Sequence, residues 1–307
     1  RGHRIMTIDI IGPEAEAKLD WVALTEAIEA GHSLPRAEVG DTFLRRGPDT
    51  LLTRSAWIDG MGLAVKAATI FPGNHRYEVP NLHGVVALFD DVKGMPEAYV
   101  DFALVTKWKT AADSLLAARH LARKGSEHFL LVGGGTVALS MVEAYSAVFP
   151  GARFHVWTRS ADTARAFAKA TGATVEPDLE AAVRKADVIA TATMATAPLV
   201  RGSWLKPGTH LDLIGAYRKD MRECDDEVMR RARVFVDARA TTVHHIGEIM
   251  DPIASGAMTE ADIQGDFYDL PAGAFTRRSD DEITVCKNGG GAHLDLMTAR
   301  YILNAAR

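Results

Sequence analysis

The feature that most limits the folds open to this chain is the junction LLVGGGTVAL at residues 130–139. An apolar run ends in Leu130, Leu131 and Val132. Three glycines follow, and Ala138 and Leu139 open a segment of helical character. The same rhythm continues downstream. RFHVWTR precedes SADTARAFAKATG, then come ADVIATAT, THLDLIG and RVFVDA, and EITVCKN leads through GGGA into HLDLMTARYILNAA. Short β-prone runs alternating with helical segments predict a parallel sheet covered by helices on both faces, an α/β fold.

At 307 residues the chain exceeds one typical domain, and its first third reads differently. Residues 14–30 have the apolar spacing of one amphipathic helix, with Gly31 as its stop. From about 50 to 105, apolar runs separated by FPGNHR and DDVKGMP predict antiparallel strands. A helix is expected from 110, placing Lys109 at its start, where a carboxylate would also meet free N–H groups. The net charge of −5 argues against a nucleic-acid binder held by a general basic field. No apolar run reaches the ~18 residues of a membrane span, and RGHRIMTIDI lacks the apolar core of a secretory signal. Cys224 and Cys286, far apart in sequence, make no disulfide framework, so a reducing, cytoplasmic setting is expected.

Gly133-x-Gly135-x-x-Ala138 fits the dinucleotide fingerprint in its alanine variant. Gly133 suits the tight turn, Gly135 lets the backbone approach a pyrophosphate, and Ala138 lets helix and strand pack closely. The helix N-terminus then offers N–H groups and a positive dipole end to the anion. The next strand ends in VWTRS, where an NAD site usually carries Asp or Glu. Arg159 stands there instead, between the hydroxyls of Thr158 and Ser160. A guanidinium suits a 2′-phosphate, so NADP is the expected cofactor, with NAD the alternative.

The stretches VKAATIFPGN, GVVALFDDVKGMPEAYVD and VTKWKTAADSLLAARHLA precede the fingerprint, and PLVRGSWLKPGTHLDLIGAYRKDMRECDDE and ITVCKNGGGAHLDL follow it. In this order they resemble the ornithine cyclodeaminase/mu-crystallin family over nearly the whole chain. The resemblance implies a doubly wound Rossmann domain, residues 113–287, inserted into an α+β substrate-binding and dimerisation domain of residues 1–112 with 288–307. It also implies hydride transfer at a carbon bonded to nitrogen, on a small α-imino or α-amino carboxylate, in a homodimer.

Arg54, in LLTRSAW, matches the family's carboxylate-binding arginine; the alternative is a charge on a strand's solvent face. Lys66, in LAVKAATIF, sits among apolar residues, an expensive place for an ammonium unless it faces a site. It matches the active-site lysine and is the expected catalytic residue. Lys109 stands where the family more often has arginine. His83, in PNLHGVV, is a further substrate-binding candidate, or else a packing or surface histidine. The expected cofactor-binding set is Thr110, Gly133, Gly134, Gly135, Thr136, Val137, Thr158, Arg159, Ser160, Thr193 and Lys287.

One departure selects a branch. The cyclodeaminases carry Gly-Asp after the strand that here reads HLDLIGAYRKDMRE, and Tyr217 occupies the aspartate's place. Asp220 is three positions displaced, and Asp212 lies within the strand. The pattern resembles the ketimine reductases, which implies NADPH-dependent reduction of Δ1-pyrroline-2-carboxylate or its six-membered homologue. Ornithine cyclodeamination, a hydroxyproline dehydratase activity, and a crystallin-like binding role are the alternatives. His244, His245 and Glu248 are too few and too divergent for a metal site. Cys286 reads as a small buried apolar residue.

Overall fold

The computed structural model describes residues 7–307; the start of RGHRIMTIDI lies outside them. The described chain divides into two compact units. One comprises the residues up to Lys109 together with Gly291–Arg307, the other Thr110–Gly290.

The first unit is a six-stranded sheet with a helical cover. Its strands are β1 (Asp9–Ile11), β2 (Glu38–Arg46), β3 (Asp49–Ile58), β4 (Gly62–Ile70), β5 (Leu82–Phe89) and β6 (Pro96–Asp101), in the spatial order β1-β6-β5-β4-β3-β2. All neighbours are antiparallel except β1, which lies parallel to β6. One sheet face, carrying Ala56, Ala64, Val86, Leu88 and Val100, is buried. The C-terminal helix Ala292–Ala306 packs on the sheet and buries Leu294, Leu296, Met297, Ile302 and Leu303. Each such side chain contributes about 1.5–3 kcal/mol.

Three helix boundaries differ from the sequence reading. The single helix expected over 14–30 is a 3-10 segment, Pro13–Lys18, followed by α1, Trp21–His32. Asp20 starts a new helix because its carboxylate accepts from the Ala23 N–H at 2.8 Å. Nor does Gly31 stop it: a Cβ there would lie 2.8 Å from the Met297 sulfur, so glycine permits close helix packing instead. The helix expected from 110 begins eight residues earlier, as α2, Phe102–Leu121. Asp101 caps it by accepting from the Leu104 N–H at 2.7 Å. Lys109 therefore sits within the helix, and its surrounding N–H groups are not free for a ligand.

The second unit holds a seven-stranded parallel sheet: β7 (His128–Val132), β8 (Arg153–Trp157), β9 (Thr174–Val175), β10 (Val188–Thr191), β11 (His210–Leu213), β12 (Ala232–Val236) and β13 (Ile283–Lys287). The spatial order is β12-β13-β11-β10-β7-β8-β9, reversing direction between β7 and β10. That reversal makes the doubly wound α/β fold, with its crevice at the carboxyl ends of those strands. β7, β10, β11 and β13 are buried almost throughout, which is why β7 and β10 read as largely apolar runs, while β11 and β13 also bury Asp212 and Lys287. The helices are α3 (Thr136–Val148), α4 (Ala161–Thr171), α5 (Leu179–Lys185), α6 (Asp226–Arg231), α7 (Arg239–Thr242) and α8 (Gly247–Ala254). Among the described residues no helix is long and apolar enough to cross a membrane.

Candidate active site

Sheet register builds a row of charge in the first unit. Asp41, Arg54, Lys66 and Val86 are successive cross-strand partners on β2, β3, β4 and β5, and so share one face. The Lys66 side chain is 8% exposed. Its ammonium donates to Asp295 Oδ1 at 2.9 Å and to Thr106 Oγ1 at 3.0 Å. It also lies 4.8 Å from the centre of the Phe102 ring. Lys109 Nζ approaches the same carboxylate oxygen at 3.6 Å. Burial pulls the Lys66 pKa down to about 8, against the opposing pull of Asp295; Lys109 and Arg54 push it further down. Burial alone would raise the Asp295 carboxyl, yet Lys109 and Lys66 hold it below the usual range.

Lys66 and Lys109 are thus brought together, and Arg54 is their neighbour, but the guanidinium fork of Arg54 is engaged. Nε donates to both Asp41 oxygens at 3.1 Å, and Nη2 donates to Oδ2 at 2.8 Å. His83 is a correction. It pairs with Thr69, three residues along β4 from Lys66, and alternation turns both to the opposite face. There it is exposed, away from the lysine cluster. Sequence reasoning missed Asp295, Thr106 and Phe102. Asp295 had a signal: with His293 it is polar on a helix otherwise apolar there, AHLDLM. The other two were hidden because the true start of α2 at Phe102 was misread as strand. Only that start sets residues 102, 106 and 109 on one helical face.

The second unit supplies the glycine turn. Gly133 adopts φ +113°, and a Cβ there would lie 2.5 Å from the Ala192 carbonyl, so only glycine fits. Gly134 packs against the methyl groups of Thr158 and Thr163. Gly135 is different. It precedes α3 with extended backbone, no side chain caps the helix, and a Cβ would meet nothing within 4 Å. Nothing in the protein's own packing asks for glycine at that position. The open space, with exposed Thr136 and Val137 opening the helix, fits an approaching pyrophosphate.

A cavity of about 420 Å³ adjoins the turn, lined by Gly133, Trp157–Ser160, Thr163, Thr193–Ala197 and Leu199. Arg159 is exposed there, with no ion-pair partner among the described residues. Thr158 donates its hydroxyl to the Ser160 carbonyl, and Ser160 Oγ caps α4 by accepting from the Thr163 N–H. The donor expected of Thr158 is therefore spent within the loop. Thr193 lines the cavity while its N–H and hydroxyl donate to Glu223 at 2.8 and 2.7 Å. Glu223, fully buried and unforeseen, also accepts from Thr191 Oγ1 and from the Gly215 and Ala216 N–H groups. It ties together the loops after β10 and β11. Of the expected cofactor set, Gly133, Thr158, Arg159, Ser160 and Thr193 line this cavity and Gly134, Gly135, Thr136 and Val137 belong to the glycine turn and the start of α3, whereas Thr110 and Lys287 belong to neither. Thr110 is half-buried within α2, and Lys287 is fully buried at the end of β13, donating to the Leu213 carbonyl at 2.6 Å.

The remaining candidates separate. Tyr217 is 55% exposed, and Asp220 is held by Arg218 at 2.8 Å. Asp212 is buried, accepting from Tyr145 and bonded to His210. His244 lies 3.5 Å from Glu260, whereas Glu248 is buried and accepts from the Glu223 and Cys224 N–H groups. Among the described residues no cluster of three metal-ligating side chains exists. Burial pushes the Cys286 thiol well up, which suits packing rather than attack.

The profile of the Ornithine cyclodeaminase/mu-crystallin family matches residues 55–307. The Delta(1)-pyrroline-2-carboxylate reductase of Paracoccus denitrificans is 50% identical over 296 residues, 94% of each chain. The structure of Thermococcus litoralis Delta(1)-pyrroline-2-carboxylate reductase in complex with NADH and L-proline superposes with a TM-score of 0.87 at 25% identity, covering 97% of both chains. An archaeal alanine dehydrogenase dimer with bound NAD gives a TM-score of 0.87 at 27% identity, over 98% of this chain and 96% of that one. On this likeness of sequence and of both sheets, the chain belongs to the ornithine cyclodeaminase/mu-crystallin family.

Proposed function

We propose that this protein is an oxidoreductase that reduces the C=N bond of a cyclic ketimine carboxylate, Δ1-pyrroline-2-carboxylate or Δ1-piperideine-2-carboxylate, with NADPH. The product is L-proline or L-pipecolate. The observation that carries this reading is Lys66, an ammonium buried beside a second lysine in a chain half identical to a reductase of that name.

The first unit is the substrate-binding unit, and the second binds the cofactor. Arg54, Lys66 and Lys109 carry three positive charges against the two carboxylates of Asp41 and Asp295, a surplus of one. That surplus matches a single substrate carboxylate, held chiefly by the two lysines because Asp41 already fills the fork of Arg54. With a pKa of about 8, Lys66 is mostly protonated at neutral pH yet able to give up a proton. It protonates the imine nitrogen as C2 gains hydride. The cofactor held at the α3 turn would supply that hydride. Arg159 supports NADP over NAD, although the two solved relatives above hold NADH and NAD. Exposed Tyr217 and surface-paired Asp220 leave ornithine deamination without its carboxylate. Two buried free cysteines suit a cytoplasmic setting.

Steady-state NADPH oxidation with five- and six-membered cyclic ketimines, beside ornithine with NAD, tests this. Ketimine-dependent NADPH oxidation with little ammonia release from ornithine is expected. Efficient ornithine-to-proline conversion would place the chain in the cyclodeaminase branch, and no turnover of either substrate would favour a binding role.

A further inference from the structure

The C-terminal helix contributes one charged side chain to the lysine cluster, and the reading above gives it no task. Asp295 is 1% exposed. Its Oδ1 is shared between Lys66 at 2.9 Å and Lys109 at 3.6 Å, while its Oδ2 is buried with no hydrogen-bond partner among the described residues. A carboxylate buried with one oxygen unsatisfied is costly, and packing needs do not explain it, since an apolar residue would serve the helix better. What it does provide is one counter-ion between two ammonium groups that would otherwise repel at close range.

We propose that Asp295 is the positioning residue of the site, fixing the Lys66 ammonium against Thr106 and the Phe102 ring and holding Lys109 beside it so that both lysines meet one substrate carboxylate. It acts through the lysines and does not touch the reacting atoms. This rests on the ketimine-reductase reading of Lys66.

The charges facing Lys66 set the expected pH response. Arg54 lies across from it on β3, with Asp41 beyond on β2, and β5 presents apolar Val86. Lys109 comes from α2, and Asp295 from the C-terminal helix. His293 on that helix and His32 on α1 meet edge to face, and burial keeps His293 neutral, its pKa pulled down to about 3. Asp295 is therefore the carboxylate directly paired with Lys66, and it favours the ammonium. Removing its charge lowers the Lys66 pKa further, so activity that needs protonated Lys66 is lost at lower pH than in the parent.

The test is the kcat–pH profile of Asp295→Asn with NADPH and Δ1-pyrroline-2-carboxylate, with Lys66→Met alongside. We expect kcat to fall about 10-fold or more and the alkaline limb to move down by about one pH unit or more. A parent-like kcat and limb would overturn the proposal. Should Asp295→Asn fail to fold, Asp295→Glu keeps the charge but displaces it by one methylene. The expected result is then a reduced kcat with the alkaline limb near the parent's, and an undiminished kcat would overturn the proposal. If Lys66→Met itself remains active, the reading of Lys66 fails; if Lys66→Met is inactive and Asp295→Asn is normal, only the role of Asp295 fails.

Discussion

A lysine placed between Val65 and Ala67 is legible in sequence because burying an ammonium costs free energy that packing does not return. Its partner was not legible, because Asp295 arrives from the far end of the chain and only the fold joins them. Lys66→Met keeps the stem's volume and removes the charge. We expect it to lower ketimine reduction ~100-fold or more, as for loss of a proton-handling group, with NADPH binding retained because the glycine turn is built in the other unit. Unchanged turnover would show that the chemistry lies elsewhere. Arg159 is the second residue whose role rests on charge. Arg159→Ala should weaken NADPH binding by about 1.5–3 kcal/mol and leave NADH binding nearly unchanged, because only NADPH carries the 2′-phosphate. Fluorescence titration of both cofactors against both proteins measures this, and an equal loss for NADH would remove the basis of the NADP preference.

At the scale of elements, the glycine turn holds two kinds of glycine that one motif does not distinguish. Gly133 answers to the protein: its φ of +113° and the Ala192 carbonyl 2.5 Å from any Cβ exclude a side chain. Gly133→Ala should destabilise the second unit by about 1–3 kcal/mol. Gly135, with φ −85° and open space ahead, tolerates a side chain in the fold. Gly135→Val should therefore unfold within a few degrees of the parent, yet lose NADPH affinity about 10-fold or more as the side chain enters the pyrophosphate's approach. Thermal melts with and without NADPH separate the two cases; a Gly135→Val protein stabilised by NADPH as strongly as the parent would deny the turn its role. The parallel strands were legible as elements because burial on both faces leaves a largely apolar signature. The boundaries of α1 and α2 were not. Asp20 and Asp101 each convert what reads as continuous pattern into a helix start, and a cap is one side-chain hydrogen bond that periodicity does not register.

For the whole molecule, the question is what lies on the second face of the six-stranded sheet. The C-terminal helix packs on one face. On the other, a row of cross-strand partners runs Ile10, Tyr99, Ala87, Val65, Ser55 and Gly40 through all six strands, and Trp57 and Val85 share that face. Ile10 is 81% exposed, Trp57 49%, Tyr99 42% and Val85 37%, an apolar surface continuous enough to need cover. A second copy of the same chain is the economical cover, because a twofold axis sets one patch against itself. Of the strands that make the face, β3 to β6 fall in the stretch foreseen as antiparallel strands in the sequence, but β1, β2 and the outer row were not foreseen. Which alternate residues point outward depends on where the C-terminal helix docks. We therefore expect light scattering at micromolar concentration to report twice the 33.2 kDa chain mass. Tyr99→Glu, in the exposed row beside Ile10, should shift the population toward 33.2 kDa while leaving the fold intact, since its side chain is already partly in water. A parent protein found only at 33.2 kDa would show that this face is covered by something other than its own copy, or not at all.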